Sequence, residues 1–264
     1  MSTLDLEIIK GIVCEAGVLL KRAHLNKDEI FEKEGDANFV TVFDMKIQKF
    51  LIERILEVIP DAHFFGEEEE DLNKKEIAKE GYTFIIDPID GTTNFMFGYN
   101  QSCISVGVAK DGELFAGIIY NPYVDEMFYA EKGKGAFLNG NDLIMADRGL
   151  SEGISCFGCA RYNESSTGVL FATVQELFYQ SLAIRSGGSA AIDLARIASG
   201  ANVSYVEMML QPYDYAAAAV IIEEAGGVIT QIDGKPITID KGCSILAGTK
   251  KAHAMELEIL KSKM

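Results

Sequence analysis

One stretch constrains this chain more than any other: the apolar run Tyr82-Thr83-Phe84-Ile85-Ile86 passes directly into Asp87-Pro88-Ile89-Asp90-Gly91. An apolar run of this length bounded by turn residues reads as a buried strand, so the fold must cover it. It also delivers two carboxylates where a buried strand meets a turn, a place from which a side chain points into a cleft while its backbone stays rigid. Pro88 fixes its own φ and biases Asp87 towards an extended conformation, and Gly91 frees the chain to turn. Both aspartates are therefore expected to face one point from a stiff loop.

The elements around this stretch follow from periodicity. Residues 4–22 carry Leu4, Ile8, Ile12, Ala16, Leu19 and Leu20 at the spacing of a helix with one buried stripe. A second helix is predicted over 44–59, with Ile47, Phe50, Leu51, Ile55 and Val58 on one face, Asp44 capping its start and Pro60 ending it. Strands are predicted at 62–65, 82–86, 104–109 and 114–120, the last two joined across Asp111-Gly112, a hairpin signal. After Asn139-Gly140 and Arg148-Gly149 the texture changes to alternating strand and helix. Helices are predicted over 166–178, 189–199, 215–225 and 252–261, with strands at 182–185 and 203–207 and two more beyond Gly226-Gly227. The expected fold class is α/β: an α+β N-terminal half, 1–145, carrying Glu67, Asp87 and Asp90, and an α/β C-terminal half, 146–264, carrying Glu207 and Asp214.

Acidic residues outnumber basic ones 40 to 24, a net charge of −16, and the basic residues do not cluster. Such a field repels nucleic acid and anionic membranes, so neither is an expected direct partner. No segment approaches the roughly 18 to 20 unbroken apolar residues of a membrane helix. The first residues lack the basic and apolar regions of a secretory signal, so a cytoplasmic location is expected. Five cysteines, an odd number, fit free thiols better than a disulfide framework. The pair Cys156 and Cys159 has CxxC spacing but reads as strand or loop and not as a redox motif opening a helix. His24, His63 and His253 are scattered without zinc-ligand spacing and are expected at the surface.

Four acidic groups stand at strand ends or helix starts: Glu67 after Phe64-Phe65-Gly66, then Asp87, Asp90, and Asp214 before an alanine-rich helix. Singly, each has an ordinary reading as a turn residue, a solvated loop acid or a helix cap. Together they form an all-oxygen donor set with no histidine or cysteine, which suits magnesium, in two or three ions. Gly91-Thr92-Thr93-Asn94 resembles a helix N-terminus, whose free N–H groups bind phosphate. Carboxylates beside an anion nest make a phosphoryl-transfer site, and cations there offset the repulsion between an acidic protein and a phosphate ester.

The motifs Gly66-Glu67-Glu68, Asp87-Pro88-Ile89-Asp90-Gly91-Thr92-Thr93-Asn94-Phe95 and Tyr213-Asp214-Tyr215-Ala216-Ala217, followed by Glu224-Ala225-Gly226-Gly227, resemble in order and spacing the signatures of the inositol monophosphatases. The resemblance covers nearly the whole chain. It implies a layered αβαβα sandwich of the sugar-phosphatase type and a magnesium-dependent, lithium-sensitive phosphomonoesterase that forms a homodimer. Carried over residue by residue, it implies that Glu67, Asp87 and the backbone carbonyl of Ile89 hold one magnesium, and that Asp87, Asp90 and Asp214 hold a second. A third, weaker ion is placed near Glu67. Thr92, Asp44 and Glu67 are then the expected catalytic residues, Thr92 with Asp44 orienting and helping to deprotonate the attacking water. Asp44 ends the motif Asn38-Phe39-Val40-Thr41-Val42-Phe43-Asp44. Gly91 and Thr92 would offer backbone N–H groups to the phosphate, with Asp90 and Asp214 bordering the same substrate.

By the same resemblance Glu207 accepts hydrogen bonds from substrate hydroxyls, and Gly188, Ser189 and Ala190 line its pocket, with Arg185 and Lys33 as possible neighbours. The expected substrate is a small phosphorylated polyol or sugar, first of all inositol 1-phosphate. Fructose-1,6-bisphosphate and NADP are the alternatives on the same metal site. A binding role in association with RNA polymerase and ribosome biogenesis is the non-enzymatic alternative. Departures from the animal pattern, Tyr213 for a tryptophan, Gln211-Pro212 for a histidine-cysteine pair, Glu69 for a serine and Phe43 for a small polar residue, leave the carboxylates untouched. Those near Gln211 bear on the pocket rim and hence on substrate choice.

Overall fold

The computed structural model describes residues 4–23, 30–32, 39–68, 76–159 and 166–264. His24, Lys33, Asn38 and Glu69 lie outside the described residues.

The first helix, α1 (Leu6–Arg22), starts at Asp5, whose side chain accepts the Glu7 N–H. Its buried stripe is Ile9, Ile12, Val13, Ala16 and Leu20, whereas Ile8 and Leu19 lie on the exposed side. The periodicity is helical as expected, but the stripe is rotated about the axis. Strands β1 (Ile30–Glu32) and β2 (Phe39–Thr41) pair antiparallel and lead into α2 (Val42–Val58). Thr41, not Asp44, is the N-cap of α2. Asp44 sits three residues in and its Oδ2 accepts the Thr41 N–H at 2.7 Å, closing a capping box.

Seven strands, β3 (His63–Gly66), β4 (Tyr82–Asp90), β5 (Cys103–Lys110), β6 (Glu113–Asn121), β7 (Glu126–Glu131), β8 (Gly135–Leu138) and β9 (Asn141–Leu143), form one sheet in chain order. Only β3 and β4 run parallel. Asp111-Gly112 joins β5 to β6 with φ of +52° and +89°, and Asn139-Gly140 joins β8 to β9 with φ of +49° and +82°. Two successive positive φ values match the twist of a two-residue hairpin. Asn139-Gly140 is thus a hairpin inside the sheet, and the change of texture falls after it.

The second sheet has the order β11 (Ala183–Arg185), β10 (Ile154–Phe157), β12 (Asn202–Leu210), β14 (Cys243–Gly248), β13 (Val228–Thr230). Four helices accompany it: α4 (Thr167–Gln180), α5 (Ala190–Ala198), α6 (Pro212–Glu224) and α7 (Lys250–Lys263), while the short α3 (Thr92–Met96) links β4 to β5. Helices α1 and α2 cover the outer face of the first sheet, packing on Tyr82, Phe84 and Ile86. Helices α5 and α6 lie between the sheets, with Ile119 and Ala130 of one sheet and Tyr205 and Ala247 of the other in a single core. Helices α4 and α7 cover the far face of the second sheet. The result is the expected layering of helix, sheet, helix, sheet, helix. Every residue of β4 is buried, as an apolar strand between two helical layers must be.

The middle layer depends on two glycines. Gly107 and Gly117 face each other across β5 and β6, and a Cβ on Gly117 would stand 2.2 Å from the carbonyl oxygen of Ala217 in α6. The helix backbone rests directly on the sheet, which brings the start of α6 over the end of β4. There Ser105 of β5 donates to the Tyr213 carbonyl at 3.1 Å.

His253 corrects the surface expectation: it is buried on α7 with Nε2 2.8 Å from Thr230 Oγ1, because the last helix packs this side against β13. His63 is exposed. Among the described residues the cysteines are free, Cys103, Cys156 and Cys243 buried and Cys14 and Cys159 exposed. Burial pushes the Cys156 thiol up to about 12, the opposite of a reactive thiolate. No helix among the described residues is long and apolar enough to cross a membrane.

Gly117→Val should lower the unfolding free energy by about 2–3 kcal/mol, since the added carbons have no space to occupy. Gly11→Ala, where nothing lies within 4 Å of the new Cβ, should leave stability unchanged or raise it by up to about 1 kcal/mol. Urea denaturation of the two variants measures the contrast.

Candidate active site

Asp87 and Asp90 are three residues apart, and in a regular strand they would point to opposite faces. The ladder between β4 and β5 solves this: Asp87 pairs with Ser105 and Asp90 with Cys103, so three steps on β4 oppose two on β5. This is a bulge, and it falls on Pro88-Ile89, where a residue without an N–H costs the ladder nothing. The expected stiff loop is therefore a strand that continues through Asp90, with both carboxylates turned into one cleft. Gly91 then takes φ +87° as the N-cap of α3, packed so closely that a Cβ would stand 3.0 Å from the Gly188 carbonyl oxygen.

Asp214 arrives from the other half. It is the third residue of α6, not its cap, and its Oδ2 accepts the Gln211 N–H at 2.7 Å. Carboxylate oxygens of Asp87, Asp90 and Asp214 lie within 4.8 Å of one another. A second group within the same limit joins Asp44, Glu67 and Glu68. Glu68, next to Glu67 in the Gly66-Glu67-Glu68 motif, is an addition to the ligands that the resemblance implies. The cleft, of about 410 Å³, is lined by Glu67, Asp87, Ile89, Asp90, Gly91, Thr92, Gly188, Ser189, Ala190, Glu207 and Asp214, among others. Asp44 stands behind this wall, with Oδ1 3.4 Å from Thr92 Oγ1, while the Thr92 hydroxyl also donates to the Ile89 carbonyl at 3.1 Å. Arg185 is exposed on β11 and is not among the lining residues.

Burying this many acids together raises their pKa values. Burial, then the charges of Glu67 and Asp90, push Asp87 well above the usual carboxylate range. Burial, then Asp90, does the same to Asp214. Burial takes Asp90 up to about 6, against the opposing pull of hydrogen bonds from Ser189 and the Ala191 N–H. Asp44 and Glu207 are each pushed up to about 7, again by burial first. Among the described residues, no Lys or Arg pairs with Asp87, Asp90 or Asp214. Three close carboxylates that no basic side chain meets among the described residues are held by protons or by a metal, and an all-oxygen donor set fits a hard divalent cation.

Several residues support the site through contacts that the sequence does not announce. Gln48 of α2 donates to the Glu68 carbonyl at 2.8 Å and accepts the Glu68 N–H at 3.1 Å, fixing the turn that carries the acids. Asn94 donates to the carbonyls of Gln101 and Gly187, each at 2.8 Å, and so ties α3 to the loop before α5. Asp193 accepts the Gly187 N–H at 2.9 Å and holds that loop from its other side. Gln48 could have been suspected from its i, i+4 spacing to Asp44. Asn94 stands in the motif after Asp90, but its partner Gly187 is 93 residues away, and Asp193 acts on the loop before α5, where no local pattern exists. Glu207, which alone in the sequence reads equally as an exposed acid, is buried, and its Oε2 accepts the Tyr205 hydroxyl at 2.5 Å.

These shifts set the pH dependence of the metal-free protein. A carboxyl with a raised folded-state pKa binds its proton more tightly when folded, so its ionisation opposes folding. That penalty is absent below the unfolded value of about 4 and grows as pH rises through about 6 for Asp90 and about 7 for Asp44 and Glu207. Buried His253, whose pKa burial lowers, contributes in the opposite sense but is a single group. Unfolding free energy of chelator-treated protein should fall from pH 5 to pH 8, and a divalent cation should restore more of it at pH 8 than at pH 5. Urea denaturation at constant ionic strength checks both.

The sequence model of the inositol monophosphatase family matches residues 5–264. An inositol-1-monophosphatase of Bacillus subtilis (strain 168) is 35% identical over 248 residues, covering 94% of this chain and 92% of its own. A protein of Aquifex aeolicus (strain VF5) named fructose-1,6-bisphosphatase/inositol-1-monophosphatase is 31% identical, covering 98% of this chain and 96% of its own. Among solved structures, extragenic suppressor protein suhB from Bartonella henselae superposes with a TM-score of 0.88 at 29% identity, covering 98% of this chain and 99% of that one.

Proposed function

The chain belongs to the inositol monophosphatase family and is a phosphoric monoester hydrolase, and we propose that it hydrolyses a small polyol phosphate, inositol 1-phosphate first, with magnesium. The observation that carries this reading is the meeting of Asp87, Asp90 and Asp214 at one end of a cleft whose wall also presents Glu207. Glu67, Asp87 and the Ile89 carbonyl would hold one ion, and Asp87, Asp90 and Asp214 a second, with Glu67 and its neighbour Glu68 offering oxygens for a weaker third. Bound magnesium supplies an acidified water and neutralises the charge of the phosphate and of the departing alkoxide.

The chain's own groups then have distinct tasks. Asp44 holds Oδ2 on the Thr41 N–H and hydroxyl, at 2.7 and 2.5 Å, which leaves Oδ1 for Thr92. A proton leaving the attacking water passes to Thr92 Oγ1 as the threonine proton moves to Asp44 Oδ1. The N–H groups at the start of α3 orient the phosphate. Glu207, deep in the same cleft, accepts from hydroxyls of the leaving group. The relative from Aquifex aeolicus bears a name that joins both activities, so fructose-1,6-bisphosphate is the second substrate to test. Lithium sensitivity and a homodimer belong to the same proposal and rest on family membership.

Phosphate release should be magnesium-dependent and led by inositol 1-phosphate in a panel with fructose-1,6-bisphosphate, NADP, adenosine 3′,5′-bisphosphate and glycerol 2-phosphate. Another leader would reassign the pocket, and release without magnesium would overturn the metal assignment. Asp90→Asn should lose about a hundredfold or more in kcat while keeping its circular dichroism spectrum. Turnover near the parent level would refute the assigned role.

A further inference from the structure

Glu207 is held by two residues that its own role does not explain. On β12, Tyr205 and Glu207 are two apart and so point to the same face, towards the cleft. The Tyr205 ring is buried among the residues of the middle layer, and its hydroxyl donates to Glu207 Oε2 at 2.5 Å. Gly158, just past β10, donates its N–H to the Val206 carbonyl at 3.0 Å and lies flat against the pair. A Cβ on Gly158 would stand 2.0 Å from Glu207 Oε2 and 2.3 Å from the Tyr205 hydroxyl. The carboxylate therefore occupies the space that any side chain at 158 would need. With Oε2 committed to Tyr205, Oε1 is the oxygen left to meet a substrate hydroxyl.

We propose that Tyr205 and Gly158 are positioning residues that set substrate selectivity, fixing the Glu207 carboxylate so that a hydroxyl-bearing leaving group is preferred over one without hydroxyls. The inference rests on the reading of Glu207 as the acceptor of substrate hydroxyls. A rigid tyrosine anchored in the core holds Oε2, and the absent side chain at 158 leaves the space that this same oxygen occupies, so the carboxylate is fixed at one end and Oε1 is uncommitted. A site built to pair with a substrate hydroxyl discriminates against the analogue lacking it, because its polar group is then left unpaired.

The test compares kcat/KM for inositol 1-phosphate and for phenyl phosphate, at saturating magnesium, in the parent protein and in Glu207→Ala, Tyr205→Phe and Gly158→Ala. The selectivity is the ratio of the two values, which cancels any general loss of activity. It should fall about five- to twentyfold in Tyr205→Phe and in Gly158→Ala, mainly through KM for inositol 1-phosphate. Adding Tyr205→Phe to Glu207→Ala should lower the ratio no further, because the tyrosine acts only through the carboxylate. An equal loss on both substrates in Tyr205→Phe and Gly158→Ala, with the ratio lowered in Glu207→Ala, would overturn the positioning role alone. An unchanged ratio in Glu207→Ala would overturn the reading of Glu207 and the proposal with it. If Tyr205→Phe does not fold, Gly158→Ala, which keeps the core ring, decides the matter by the same ratio.

Discussion

The backbone contact between α6 and the paired glycines of β5 and β6 is the constraint on which the rest of this structure depends. Gly107 and Gly117 stand opposite each other in the ladder, and Ala216 and Ala217 of α6 lie on them at distances that exclude even a methyl group. A helix seated this low has no freedom to slide or lift, because side chains that would act as spacers are missing. Its first turn is consequently fixed over the end of β4, and Ser105 bonds it there through the Tyr213 carbonyl. Asp214 reaches Asp87 and Asp90 only because of that seat. The alanine-rich sequence of α6 is thus a packing requirement of a helix buried between two sheets.

On this seat the protein assembles acids that repel one another. Each of Asp87, Asp90 and Asp214 is driven towards its protonated form by burial and by its neighbours. The structure tolerates this because backbone and hydroxyl donors hold one oxygen of each: the Ile89 N–H for Asp87, Ser189 and the Ala191 N–H for Asp90, the Gln211 N–H for Asp214. Among the described residues, no basic side chain pairs with the remaining oxygens, and the cluster could hold a metal ion. Rigid placement by the scaffold with unmet charge at the centre is the condition under which an oxygen-ligated metal binds and a phosphate follows it.

How much of this was legible beforehand varied with the range of the interaction. The buried strand, the hairpin at Asp111-Gly112 and the helical periods were readable because they are set by neighbours a few residues apart. The short strands β7 to β9 were not, since half-exposed segments of three to six residues carry too weak an alternation to stand out. An acid before an apolar period reads as a helix cap, so Asp44 is expected there, whereas Thr41 takes that place and the acid turns back to it. His253 was assigned to the surface because nothing local reports that α7 buries this side on β13. At the site, Glu67, Asp87, Asp90, Asp214 and Glu207 could be named from motif and resemblance. The contacts by which Gln48, Asn94, Asp193, Tyr205 and Gly158 hold them in place could not be read from the sequence.

The sequence by itself determined the layered α/β class, the family and the identity of the acidic groups, because hydrophobic period, turn chemistry and motif spacing are local properties of the chain. Tertiary structure decided how Asp87 and Asp90 come to share a face: not from a loop but from a strand of period two, which would separate them without the bulge at Pro88-Ile89 that adds a residue to one side of the ladder. It supplied the seat of α6 by which Asp214, 124 positions after Asp90, reaches the cluster that the resemblance implied. It decided, too, that the Glu207 carboxylate rests between a core tyrosine and a bare glycine backbone. These are close approaches between distant segments, fixed by which surfaces can come into contact, and the order of residues along the chain does not record them.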